Sequence, residues 1–130
     1  MKDILLNIGV ILLNLLFVLS VYSKVTRFKT TSKGFQGIVK TKLFELPIIF
    51  CYLAIIVAII IELICPIIIQ IGVLYPKYKK YSLISTIILI IFTVIATYLY
   101  HFPPYKEQYY AFIKNVSIIG GLLVLMSILI

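Results

Sequence analysis

Residues Ile48–Gln70 form a long apolar stretch with one formally charged side chain, that of Glu62. A helix of about 20 apolar residues is long enough to cross the roughly 30 Å hydrocarbon core of a bilayer. An ionised carboxylate at the centre of such a helix costs about 2.5–3.5 kcal/mol on insertion scales, so intramembrane acids usually face the bundle interior and pair with another group. The stretch therefore predicts a membrane-spanning helix whose Glu62 side chain points into the protein.

The composition of the whole chain is that of a membrane protein. Of the 130 residues, 63% are hydrophobic and 12% are charged, whereas soluble domains carry about 25% charged residues. So few charges cannot cover so much apolar surface, which excludes a water-soluble fold. The length predicts one domain over residues 1–130. We expect a multi-pass integral membrane protein, and the sequence leaves open which membrane holds it.

Four apolar segments are long enough to span a bilayer, and polar connections separate them. The predicted spans cover residues 4–22, 47–75, 83–102 and 110–130. Transmembrane β-strands are about 10 residues long and alternate in polarity, whereas these segments are longer and do not alternate. The predicted fold class is therefore all-α, a polytopic four-helix membrane bundle. The first segment also has the outline of a signal peptide, but its length favours an uncleaved span.

The connection between the first two spans is basic and amphipathic. Phe35, Ile38, Val39, Leu43 and Leu46 follow helical spacing, with lysines and other polar residues between them. This pattern is typical of a short interfacial helix, which lies along the membrane surface with its lysines reaching the headgroups. A disordered basic loop is the alternative.

The net charge of +8 comes from basic residues that cluster at the ends of the apolar segments. This distribution favours a bilayer with anionic headgroups as the partner, and it argues against nucleic acid. With four spans, both ends of the chain lie on one side. That side has four basic residues and the other has eight, so a positive-inside count favours a cytoplasmic first connection. Headgroup contact by an interfacial helix weakens this count, and the orientation stays open.

The second span carries Cys51, Ala58, Glu62 and Cys65 near one face. Glu62 and Cys65 follow Cys51 by 11 and 14 residues, and both separations are close to a whole number of helical turns. Small residues on that face permit close packing against another helix. The two cysteines would be about 21 Å apart along the helix, too far for an intrachain disulfide. No metal-ligand spacing occurs, so no metal site is predicted.

The third span carries a polar stripe of Thr86, Thr93, Thr97 and His101 at helical spacing. We expect this stripe to face Glu62, with water or a threonine hydroxyl between Glu62 and His101. The alternative for the threonines is hydrogen bonding to carbonyls of their own helix. The alternative for His101 is an interfacial position without a role in proton handling. Glu62 is either functional or a neutral acid whose hydrogen bond fixes helix packing.

Other polar residues of the spans admit simple structural interpretations. The Lys24 side chain can reach inward to Glu62, but we expect it to snorkel toward the headgroups, because that is cheaper. Asn7 and Asn14 are expected to hydrogen-bond across helices. Pro66 predicts a kink in the second span.

Three stretches of the chain are informative together, namely FVLSVYSKVTRF, IIIELICPIIIQIG and YLYHFPPYKEQYYAFIKNVSIIGGLLVL. They resemble the DoxX family of small four-helix membrane proteins, and the resemblance extends over about residues 14–126. The positions that match the family's motifs are Glu62, Gly72, His101, Lys114, Asn115, Gly120 and Gly121. The resemblance implies a four-helix bundle. The structural polar core that we expect comprises Lys24, Thr93, Thr97, Asn115, Gly120 and Gly121.

The family includes membrane subunits of thiosulfate:quinone oxidoreductases, and other members resemble redox-linked maturation proteins or cargo receptors of the endoplasmic reticulum. The chain departs from the family at Pro66, where a small residue is usual. Cys51 and Cys65 also lack the paired pattern of the thiol-redox relatives. Both departures weaken the transfer of a redox activity.

Two function classes remain. The first is a non-catalytic membrane subunit or partner-binding component, with a protein partner or a second copy of the chain, in which the region of Glu62 and His101 locks the fold. The second is a membrane subunit of a quinone- or thiol-linked oxidoreductase that uses Glu62 and His101 in proton transfer, with quinone as its cofactor. The sequence has no catalytic triad, phosphate-binding loop or evident cofactor motif, so the first class is favoured.

Overall fold

The computed structural model describes residues 1–102, 104–105 and 107–130. Pro103 and Lys106 belong to the predicted third connection and lie outside the described residues. Two predictions depend on them, namely the stop of the third span before Pro103 and the contribution of Lys106 to the charge count, and both stay predictions.

The described part of the chain is all-α and contains no strand. Its helices are α1 (Lys2–Thr26), α2 (Phe28–Lys42), α3 (Ile48–Leu74), α4 (Lys79–His101) and α5 (Gln108–Leu129), with a 3-10 turn at Pro76–Tyr78 before α4. Four helices of the described chain are long and apolar enough to cross a membrane, namely α1, α3, α4 together with the turn before it, and α5. The prediction of an all-α polytopic membrane protein is confirmed.

Helix α1 extends beyond the predicted end of the first span at residue 22. It ends at Thr26, and Arg27 is the single residue between α1 and α2. The helix can continue because no proline or glycine occurs between Tyr22 and Gly34. Lys24 therefore lies in the last turn of a helix instead of in a loop, which decides where its side chain points.

The helix predicted in the first connection is present, but it lies nearer the N-terminus than the apolar pattern indicated. Helix α2 ends at Lys42, so Leu43 and Leu46 lie beyond it. Its first residue, Phe28, stacks on the Tyr52 ring of α3 with the ring centroids 5.5 Å apart. The helix therefore packs along α3, and its placement in the membrane interface stays a prediction.

Helix α3 is the central element of the bundle. It packs against α1, α2 and α4, and α4 in turn packs against α5. Helices α1 and α5 touch more lightly, with Leu13 beside Gly121. The apolar core to which all four spans contribute comprises Val10, Phe17, Cys65, Ile69, Leu89, Leu122, Leu125 and Leu129.

Helices α3 and α4 come into close contact at Gly72. A Cβ atom at this position would lie 2.2 Å from Ser82 Cβ and 2.9 Å from the carbonyl oxygen of Tyr78. Ser82 Oγ also donates a hydrogen bond of 3.0 Å to the carbonyl oxygen of Ile69. Only glycine fits at residue 72, and we refer to Ile69, Gly72, Tyr78 and Ser82 as the glycine end of the bundle.

Helix α3 continues through Pro66, which is buried. Proline has no N–H group, so the carbonyl oxygen of Glu62, four residues earlier, loses its usual helical partner. The kink that the sequence predicts here stays a prediction.

Candidate functional site

Glu62 lies in the interior of the bundle, as the sequence predicts. It is 3% exposed and occupies the buried face of α3 together with Cys51, Ala58 and Cys65. The prediction that these residues share a face is confirmed. A carboxyl group in the middle of an apolar span needs a polar partner, because an unpaired one is costly there.

The partner of Glu62 is Lys24, in agreement with the expected polar core, and the prediction that this lysine snorkels outward is wrong. Lys24 Nζ lies 2.6 Å from Glu62 Oε1. Glu62 Oε1 has no partner with hydrogen-bond geometry among the described residues, so the contact is an ion pair held by charge and proximity. The contact joins α1 to α3, and the role of Glu62, functional or confined to helix packing, stays a prediction.

The direction of the Lys24 side chain follows from the length of α1. Side chains on a helix lean toward its N-terminus, and Lys24 lies in the last turn of α1. Its ammonium group accordingly points back along the helix and donates a hydrogen bond of 2.5 Å to Ser20 Oγ. This lean carries the charge into the bundle, and the Lys24 side chain is 20% exposed while that of Glu62 is 4% exposed. We refer to Ser20, Lys24 and Glu62 as the ion-pair site.

The threonine stripe of α4 is buried, and its hydroxyl groups bond to their own helix. Thr86, Thr93 and Thr97 donate to carbonyl oxygens four residues earlier, at 2.8, 2.7 and 2.6 Å. The alternative of back-bonding is therefore confirmed. Asn115 Nδ2 donates to Thr97 Oγ1 at 3.1 Å, which joins α5 to α4 through the expected polar core.

His101 is separate from the ion-pair site. Its Nδ1 atom lies 2.6 Å from Gln108 Oε1, so it links the end of α4 to the first residue of α5. Sequence reasoning missed Gln108, although the short connection before α5 signals that the two helix ends lie close together. The structure therefore does not join His101 to Glu62 directly, because each has a different polar partner.

The two glycines of α5 differ in their surroundings. Gly121 packs on Leu13, since an added Cβ would lie 3.1 Å from Leu13 Cδ1. Gly120 is exposed, and an added Cβ would meet no atom within 4 Å. The expectation that Gly120 belongs to the packed core is therefore wrong, whereas Gly121 does contribute to the contact between α1 and α5.

A second set of contacts lies where α2 meets the end of α4. Lys42 Nζ donates to the carbonyl oxygens of Tyr98 and Phe102 and lies 5.3 Å from the centroid of the Tyr98 ring. Carbonyl groups in the last turn of a helix have no partner within it, so the lysine satisfies them. Partial burial lowers the pKa of the Lys42 ammonium group from its ordinary value. A groove of about 460 Å³ beside these contacts is lined by Gly34, Lys42, Tyr100 and Gln108, among other residues.

Several other polar groups of the spans are buried. Gln70 Nε2 donates to Asn7 Oδ1 at 3.0 Å, which confirms that Asn7 bonds across helices. Asn14 is buried, and its Oδ1 atom has no hydrogen-bond partner among the described residues. Cys51 and Cys65 are both buried and free. In the described ranges, no group of three or more histidine, cysteine or acidic side chains is arranged to hold a metal ion.

Comparison of the chain with curated proteins and with solved structures finds no match. The sequence model of the DoxX family matches residues 6–102. The match covers the ion-pair site, the glycine end and all of α1 to α4 except the first residues of α1. The chain therefore belongs to the DoxX family.

Proposed function

We propose that this protein is a non-catalytic membrane component, a subunit or partner-binding element, in which the ion pair of Lys24 and Glu62 holds α1 against α3. The observation that carries the proposal is the 2.6 Å contact between Lys24 Nζ and Glu62 Oε1 inside the bundle. Opposite charges on two spans favour one arrangement of the helices. A charge left without its partner inside the protein is strongly destabilising, by about 3–5 kcal/mol for a fully buried pair.

The neighbouring polar groups support a structural role. The hydroxyl groups of Thr93 and Thr97 donate hydrogen bonds to carbonyl oxygens of α4. The side-chain amide of Asn115 donates a hydrogen bond to the Thr97 hydroxyl oxygen. The bond from Asn115 to Thr97 joins α5 to α4, and the two threonine hydroxyl groups are already engaged within α4. A site that holds its polar groups in mutual contacts is suited to fixing helices in place.

The alternative is a membrane subunit of a quinone- or thiol-linked oxidoreductase, with Glu62 and His101 in proton transfer. One observation favours it. Glu62 is a carboxyl group buried inside a span, and intramembrane acids often belong to proton pathways. Against it, the polar partners of Glu62 and His101 are Lys24 and Gln108, and neither links the two. The structural role is therefore the better supported of the two.

The surface left for a partner is largest on α1 and α5. In the most apolar 18 residues of each of these helices, only 17% are buried inside the protein. The corresponding share is 28% in α3 and 33% in the span that contains α4. Helices α1 and α5 are also neighbours. A protein partner or a second copy of the chain would therefore find its widest free surface on this side of the bundle.

A charge exchange separates the two functions. In the variant that carries both Lys24→Glu and Glu62→Lys, the pair is kept but the carboxyl group moves from α3 to α1. If the pair only holds the helices, the double variant should stay folded and should rescue a strain from which the gene has been deleted. If the carboxyl group at residue 62 carries protons, the double variant should stay folded but should fail to rescue the deletion strain.

The control is each single charge reversal, which places two like charges together inside the bundle. Both single variants should be less abundant and less stable in detergent than the double variant. Single variants as stable as the wild type would contradict the proposed role of the pair.

A further inference from the structure

The groove beside α2 is amphipathic. It has a volume of about 460 Å³ and lies between α2, the end of α4 and the start of α5. Ile38, Leu99 and Phe102 supply apolar walls, and Lys42, Tyr100 and Gln108 supply polar groups. Because α4 ends and α5 begins here, the groove lies at one end of these two spans, and the ends of membrane spans are where headgroups are expected.

Two glycines line this groove from α2, and the packing of the protein does not require them. A Cβ atom at Gly34 or at Gly37 would meet no atom within 4 Å, in contrast to Gly72, where a Cβ would clash. Glycine inside a helix lowers its stability relative to alanine. Their effect is to keep open a groove that side chains would otherwise narrow.

The electrostatics of the groove favour an anion. Lys42 brings a basic side chain, and no ion pair between it and a carboxylate occurs in the described residues. The ends of α4 and α5 add partial charges of about −0.5 and +0.5, which nearly cancel, so Lys42 supplies the positive charge among the described residues that line the groove. Gln108 is the first residue of α5, and His101 holds its Oε1 atom, which fixes this side of the groove.

We propose that the groove binds one anionic phospholipid as a specific ligand, beyond the general contact of a basic protein with an anionic bilayer. The phosphate group is placed beside Lys42 and Gln108, and one acyl chain follows Ile38, Leu99 and Phe102. A phospholipid has both the charge and the apolar length that these walls match, and it is present wherever the protein is embedded.

The test is native mass spectrometry of the full chain released from detergent micelles. The probes are phosphatidylglycerol and phosphatidylcholine with identical acyl chains. For the wild type we expect a one-to-one complex with phosphatidylglycerol, favoured over phosphatidylcholine by about fivefold, the effect of one cation near a headgroup. Equal retention of the two lipids, or retention of several copies without a preferred first one, would overturn the proposal.

The groove itself is tested by filling it. Replacement of both groove glycines by leucine (Gly34→Leu with Gly37→Leu) should abolish the one-to-one complex while the melting temperature stays at or above that of the wild type. The matched control is Gly120→Leu, because Gly120 is an exposed helical glycine on α5, away from the groove. It should keep the complex. Unchanged lipid binding in the filled variant would place the lipid elsewhere.

The headgroup and the acyl chain are separated by two further measurements. Lys42→Gln should reduce the preference for phosphatidylglycerol to about that for phosphatidylcholine without removing lipid binding. Glycerol 3-phosphate, added in excess, should leave the complex intact, because it lacks the chain that the apolar walls hold. Its displacement of the lipid would show a soluble phosphate site instead and would contradict the proposal.

Discussion

The glycine end and the ion-pair site join the same central helix to its neighbours by opposite means. At the glycine end, Gly72 brings the backbone of α3 against Ser82, with no space for a single methyl group. At the ion-pair site, Lys24 bridges α1 and α3 through a long, flexible side chain. Close backbone packing tolerates no change in volume, whereas a flexible ion pair tolerates changes in shape but not the loss of one charge.

This difference has a physical origin in the bilayer. Lipid chains are as apolar as leucine, so spans associate through close packing and polar contacts, not through the hydrophobic effect. The glycine end relies mainly on close packing, supplemented by the hydrogen bond from Ser82 Oγ to the carbonyl oxygen of Ile69, and the ion-pair site relies on charge. The groove beside α2 lies on the side of the bundle that polar contacts hold, where Lys42 bridges to the end of α4.

The largest effect is expected at the glycine end. Gly72→Ala should destabilise the protein by about 3 kcal/mol or more, because its Cβ cannot be placed without moving α3 away from α4. Thermal unfolding in detergent measures this loss. Gly120→Ala is the control and should be neutral or slightly stabilising, since alanine favours the helix.

The close packing can be tested further by partial relief. Gly72→Ala combined with Ser82→Gly should recover part of the lost stability, because the clash with Ser82 Cβ disappears while that with the Tyr78 carbonyl remains. A Gly72→Ala variant as stable as the wild type would show that the two helices are not in this contact.

A smaller loss is expected at Glu62. Glu62→Leu should destabilise the bundle by about 1–3 kcal/mol, because Lys24 loses its partner inside the protein. The lysine is partly exposed and can swing outward, which limits the loss. Glu62→Gln should be milder, since the amide keeps the shape and can accept a hydrogen bond. Melting temperature and membrane abundance are the measurements, and a Glu62→Leu variant of wild-type stability would contradict the pairing.

A still smaller effect is expected where α2 meets α4. Lys42→Met should reduce stability by about 0.3–1 kcal/mol, the usual contribution of a cation at a helix C-terminus. The control is Lys40→Met, because Lys40 is exposed on the same helix and lies away from these carbonyl groups. Equal effects of the two substitutions on the melting temperature would argue that the loss is one of general charge.

The smallest effect is expected in the reactivity of the cysteines. Cys51 and Cys65 are buried in different parts of α3, so both should react slowly with membrane-impermeant alkylating reagents in the folded protein. A cysteine introduced on the exposed part of α2, Thr30→Cys, should react rapidly and serves as the positive control. Rapid labelling of Cys51 alone would show that the bundle opens near α2.

The sequence predicted the helices and the burial of Glu62 because both follow from elementary costs. Long apolar segments must form helices in a bilayer, and a lone carboxyl group in such a segment must turn inward. The shared face of Cys51, Ala58, Glu62 and Cys65 followed from helical geometry alone. The outcome for the threonines was also among the stated alternatives, since their hydroxyl groups have a carbonyl partner on their own helix.

The partners were harder to predict than the positions. The inward course of Lys24 depends on α1 continuing to Thr26, beyond the point where the apolar pattern ends. The pairing of His101 with Gln108 depends on how two helix ends meet. The need for glycine at residue 72 and the lack of such a need at residue 120 depend on interhelical distance, which residue types alone do not contain.

The most direct test of the account is a double-mutant cycle on Lys24 and Glu62, with Lys24→Met, Glu62→Leu and the double variant compared with the wild type by reversible unfolding in detergent. The account predicts that the two losses are not additive, with a coupling energy of about 1 kcal/mol or more, within the range usual for residues in contact. Strictly additive losses would show that the two side chains do not interact, and they would contradict the claim that this ion pair holds α1 against α3.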